Sequence, residues 1–110
     1  MSGGNLDNMG LLIRLERENG DVLAEVQDPQ DFIWRHLPEG DDKLLKLLGY
    51  IDPYGNTVFN RLQMPDLLQE WREVMIKDAQ PDEINLLKAI ESMAVKCEIG
   101  PHLYLKFYGD

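Results

Sequence analysis

Apart from its carboxylates, this chain has few imidazole, thiol or serine groups that could do chemistry: His36, His102, Cys97, Ser2 and Ser92. A serine triad has poor material, because Ser2 sits in the first residues and Ser92 falls within a helical pattern without a nucleophile-elbow sequence. Neither histidine lies at ligand spacing from another donor, and Cys97 and His102 are parted by a helix end. A zinc site needs about four ligands. Asp41-Asp42 and Asp52 lack the repeating oxygen ligands of a calcium loop. Cys97 falls on an apolar helical stripe, where a thiol behaves as a small hydrophobe, and as the only cysteine it allows no internal disulfide. Paired carboxylates could serve proton transfer, but among twenty acidic residues no feature selects a pair. With no glycine-rich phosphate cradle either, neither cofactor nor metal is expected. Binding is the stronger expectation.

Charge sets the class of partner. Twenty acidic side chains against eleven basic ones give a net charge of −9. That sign repels nucleic-acid phosphates and anionic lipid, so neither nucleic acid nor membrane is an expected partner. It either keeps the chain soluble or steers it toward a basic protein. Acids gather in the first half, with Phe32 and Trp34 among them. An aromatic anchor ringed by charge is the usual makeup of an interface hot spot. The candidate partner-binding residues are therefore Glu25, Asp28, Asp31, Trp34, Asp41 and Asp42, with Trp34 in the core as the plainer alternative. A second candidate, for a small ligand or an enzyme site, is the dense turn at Asp52, Tyr54 and Asn56. Pro53 presets φ there and Gly55 relieves the closing strain, while Asp52 also reads as a turn former.

These residues hang on elements the patterning spells out. Residues 1–9 read as a loose tail, and residues 10–110 as a single α+β domain. Leu11, Ile13 and Leu15 alternate with polar neighbours, as do Val22, Ala24 and Val26, around Glu18-Asn19-Gly20-Asp21. This predicts a hairpin with a two-residue type I′ turn, pairing Arg14 with Glu25, Ile13 with Val26, Leu15 with Ala24 and Glu18 with Asp21. Asp28-Pro29 predicts a short helix capped by Asp28, with Pro29 in the first helical position, stopped by Pro38-Glu39-Gly40. Lys43–Ile51 fits either a helical stripe or a strand; Gly49 and Tyr50 before a tight turn favour a strand with Thr57–Asn60 as hairpin partner. Pro65 and Pro81 open two helices, the first with Leu67, Leu68, Trp71, Val74 and Met75 on one face. The second carries Ile84, Leu87, Ile90, Ala94 and Cys97 and closes at Gly100-Pro101. A final strand turns Leu103, Leu105 and Phe107 one way. The expected architecture is a mainly antiparallel sheet with two helices packed on one face.

The segment Tyr50-Ile51-Asp52-Pro53-Tyr54-Gly55-Asn56-Thr57-Val58-Phe59-Asn60, with the ending His102–Asp110, resembles a group of small uncharacterised bacterial proteins. Some proteins of this size and charge are similar to immunity proteins, which neutralise a cognate toxin by binding it. The resemblance covers the second half of the chain and carries over no catalytic residue. It implies a bacterial cytosolic domain, in keeping with a first ten residues that show no signal-peptide pattern and with the absence of a long apolar run. Two readings follow. One is an immunity-like inhibitor docking an acidic surface on a basic partner; the other is a ligand-binding protein, an enzyme using the Asp52–Asn60 loop, or an adaptor subunit.

Overall fold

A computed structural model describes residues 10–37 and 46–109. The alternating segments form β1 (Leu12–Arg17), β2 (Val22–Gln27), β3 (Asn56–Asn60) and β4 (Leu103–Tyr108). They make one antiparallel sheet in the order β2-β1-β4-β3, so the first and last strands of the chain lie at its centre. The helices are α1 (Phe32–His36), α2 (Met64–Trp71) and α3 (Ile84–Ile99), and α2 runs on through a π turn, Arg72–Ile76. The architecture is the α+β arrangement that the patterning implies.

Alternation decides which face is covered. Ile13, Leu15, Phe59, Leu105 and Phe107 point to one side and are buried against Leu67, Trp71, Met75, Leu87, Ile90 and Cys97 of the helical layer. Phe107 sits at the centre, with its ring edge-on to Phe59 at 5.8 Å and tilted against Trp71 at 6.2 Å. Trp71 is a core residue whose indole N–H donates to the Leu87 carbonyl at 2.9 Å, so its one polar atom is satisfied. Met93 joins the buried face of α3 in addition to the stripe read from spacing.

Three local readings need correction. The first hairpin pairs Arg14 with Glu25, Ile13 with Val26 and Leu15 with Ala24 as expected, but its turn is not type I′. Only Gly20 has positive φ (95°), and the Arg17 carbonyl accepts the Gly20 N–H, giving a three-residue loop in which Arg17, not Glu18, lies opposite Asp21. Asn19 holds this form by accepting the Asp21 N–H on its own side chain. The longer loop shifts the register by one, and a bulge in β2 at Leu23 shifts it back.

The second correction concerns the partner of β3, which is β4. Leu48–Tyr50 is one 3₁₀ turn, and Lys43–Leu45 lie outside the described residues. The N–H groups of Leu47 and Leu48 go to the Glu70 carboxylate, and those of Tyr50 and Ile51 bond back to Leu47 and Leu48. These four N–H groups are thereby taken away from any strand ladder. Third, Asp28 accepts the first N–H groups of α1 but is not its N-cap residue: Pro29 and Gln30 form a turn, Asp31 at positive φ is the N-cap, and the helix begins at Phe32.

Two substitutions test this packing. Phe107→Ala removes the ring at the centre of the core and should cost about 3–5 kcal/mol in chemical denaturation. Gly20→Val meets no atom within 4 Å, so its expected cost of about 1–3 kcal/mol is the backbone strain of a branched residue at positive φ. An unchanged denaturation midpoint for Gly20→Val would contradict the turn assignment.

Candidate functional site

A helix of five residues is too short to be stable on its own, so α1 must be held by its surroundings. Its start is fixed by Asp28, whose two carboxylate oxygens accept the N–H groups of Phe32 and Ile33, each at 2.9 Å. These two donors belong to the first turn, which has no partner within the helix. Asp28 itself is fully buried. Burial pushes its carboxyl above the ordinary value, and the two N–H bonds pull the other way without cancelling it.

The far end of α1 is fixed by a residue 47 positions away. His36 Nε2 lies 2.6 Å from Glu83 Oε1, in the turn that leads into α3. A carboxylate can only accept, so Nε2 carries the hydrogen. The same Glu83 oxygen accepts the Gln80 N–H at 2.8 Å, and the Arg35 guanidinium stands 3.6 Å from Oε2. The Glu83 side chain is 1% exposed. Burial alone would raise its carboxyl, but the Gln80 bond, His36 and Arg35 outweigh it and hold the group below its ordinary value.

Between these fixed ends Phe32 and Ile33 turn inward and are buried. Trp34 is 51% exposed. Arg35 lies over the Phe32 ring at 4.8 Å, so its charge is drawn toward Glu83 and that ring. The arrangement displays a large indole on a backbone that has already lost its freedom, which lowers the entropic cost of using it as a contact. Asp31 stands half-exposed at the start of α1, and Asp82 is exposed one residue before Glu83.

The acidic residues singled out by sequence do not share one surface. Glu25 points to the uncovered face of the sheet and is paired with Arg14 at 2.5 Å, whereas α1 lies on the helical side, against Arg72–Ile76. Asp28 is no contact residue, since both oxygens are spent inside the protein. Asp31 and Trp34 do sit together on α1, and Asp41 and Asp42 lie outside the described residues. The alternative loop is a turn in which Asp52 accepts the Tyr54 N–H at 2.8 Å; Tyr54 and Asn56 are exposed. Its carboxylate serves its own backbone. Glu83 was the residue that spacing could not find, because it meets His36 only in the fold.

The remaining chemistry-bearing groups lie elsewhere. Cys97 is buried, and burial pushes its thiol up to about 11, so it stays protonated at neutral pH. His102 is exposed at the far end of the molecule's sheet, beside a hollow of about 290 Å³ that includes Asn60, Arg61 and Tyr104. Among the described residues no three His, Cys, Asp or Glu side chains are grouped to hold a metal, and no helix is long and apolar enough to cross a membrane. Compared with protein-family models, curated proteins and solved structures, the chain matches none.

The two ends of α1 respond to acid in opposite senses. The folded value for Glu83 is lowered, so its contribution is full above the ordinary carboxylate range and is lost as pH falls through that lowered value. For Asp28 the folded value is raised, so the fold favours its protonated form and its contribution fades as pH rises through that value. Glu83→Gln should therefore flatten the acid limb of stability against pH, read from urea midpoints. Asp28→Ala orphans two buried donors and should cost about 1–3 kcal/mol, with faster depolarisation of Trp34 fluorescence.

Proposed function

We propose that the protein is a non-catalytic binding protein that neutralises a basic protein partner in the manner of an immunity protein, with α1 as its docking element. The observation that carries this reading is the half-exposed Trp34 on a helix pinned at both ends. Tryptophan is seldom left this exposed without a use, and it is among the residues that dominate interface energetics. Asp31 precedes α1 and Asp82 adjoins Glu83, and among the described residues neither forms an ion pair, in a chain whose net charge is −9. Such a surface speeds encounter with a cation-rich partner and orients it before the anchor seats.

The reading that makes the Asp52–Asn60 loop a ligand site gains nothing comparable. Its one carboxylate accepts the Tyr54 N–H. A cytosolic bacterial setting belongs to the same proposal and rests on the resemblance of the second half of the chain.

Capture from the source organism's lysate at low salt, followed by binding kinetics with the captured protein, tests the proposal. Asp31→Lys with Asp82→Lys should slow association by about tenfold or more and flatten its salt dependence. Trp34→Ala should leave association nearly unchanged and speed dissociation by about thirtyfold, as for a hot-spot anchor. Kinetics untouched by both variants would overturn the assignment of α1 as the docking element.

A further inference from the structure

We infer that the protein self-associates through β3, two copies pairing their β3 strands antiparallel about a two-fold axis at Val58 to form one continuous eight-stranded sheet. The inference starts from which backbone groups β3 leaves free. Gly55 accepts the Gly109 N–H at 2.7 Å, so residues 55, 57 and 59 face β4 in the ladder. Alternation then turns the N–H and C=O groups of Asn56, Val58 and Asn60 outward. The Asn60 N–H confirms this, since it donates to the Gln63 side chain and not to β4. Among the described residues no hydrogen bond reaches the outward groups of Asn56 or Val58, and β3 is an edge of the sheet.

Natural edge strands are guarded by charge, proline or a bulge. The other edge, β2, has such guards: a bulge at Leu23, Glu25 within it, and Asp21 beside it. β3 has none. Residues 53–60 contain no charged side chain in a chain of which 28% is charged. Four of the large exposed apolar side chains fall along this edge: Tyr50, Tyr54 at 80%, Val58 at 52% and Leu62 at 79%.

The occupant that these residues fit is a second copy. Antiparallel pairing centred on Val58 sets Val58 against Val58 of the second copy as a hydrogen-bonded pair, and Asn56 against Asn60. It brings the Tyr54 turn of one copy to the Leu62 turn of the other, so the exposed apolar groups cover each other. The same register carries Arg61 toward the Asp52 end of its neighbour, placing opposite charges together. A two-fold contact must be self-complementary in this way. Because each copy carries net negative charge, screening should strengthen the contact, the reverse of the salt response expected for a basic partner on α1.

Sedimentation equilibrium of the full chain tests the inference. Wild type should pass from 12.7 kDa toward twice that mass as concentration rises, more readily at higher salt. Val58→Lys and Val58→Glu should each stay monomeric, because each places like charges face to face on the axis, and mixing the two should restore the dimer. Val58→Pro offers a second route: it removes an outward N–H that β4 does not use, so the fold survives by circular dichroism while the dimer is lost. Wild type remaining monomeric at roughly 1 mM, a dimer that persists in folded Val58→Lys, or a mixture that fails to associate would overturn it.

Discussion

The irregular parts of this fold depend on carboxylates taken out of water to serve backbone N–H groups that regular structure cannot satisfy. The buried polar or charged side chains among the described residues are all acids: Glu16, Asp28, Glu70 and Glu83. Asp28 closes the start of α1, Glu70 holds the N–H groups of Leu47 and Leu48, and Glu83 joins the Gln80 turn to His36. An unpaired buried donor is costly, and so is an unpaired buried charge. Asp28 and Glu70 resolve both costs with a single side chain; Glu83 does so through Oε1, while its buried Oε2 has no hydrogen bond among the described residues and faces Arg35 at 3.6 Å. The acids of this protein thus fall into two populations, one that shapes it and one that charges its surface.

Glu16 is also buried, on the other face of the sheet, but its carboxylate serves side chains and not backbone. It accepts the Tyr108 hydroxyl and pairs with Lys106 at 3.0 Å, while Arg14 lies over the Tyr108 ring and pairs with Glu25. Burial would raise the Glu16 carboxyl, but Tyr108 and Lys106 outweigh it and hold the group below its ordinary value. The network stitches β2, β1 and β4 together across the side that, among the described residues, carries no helices. With the core on the other side, the pairing of the chain's first and last strands is secured from both faces, and α1 gains a stable layer to rest on.

What could be read from sequence follows the range of the interaction. The alternation of Ile13, Leu15, Leu105 and Phe107 and the 3.6-residue stripes of α2 and α3 are local signals, and the architecture came from them. The register at Arg14 and Glu25 was legible too, although the turn reached it by an unforeseen path, a longer loop compensated by a bulge. Leu48–Tyr50 was misread because the Glu70 carboxylate, 22 and 23 residues away, takes the backbone donors that a strand would have used. The candidate site fared similarly. Trp34 stood out by type and charge context, but the burial of Asp28 and the meeting of His36 with Glu83 are tertiary facts with no local trace.

In the proposed reading, function meets fold at α1, which buried carboxylates hold at both ends so that Trp34 is presented from an ordered backbone. Amide hydrogen exchange of the wild-type protein, resolved residue by residue, tests that claim most directly. The N–H groups of Phe32 and Ile33, bound to Asp28, should exchange nearly as slowly as those of β1 and β4, in spite of lying in a five-residue helix. Exchange at the rate of the exposed hairpin loop would show that α1 opens freely, and would contradict that claim.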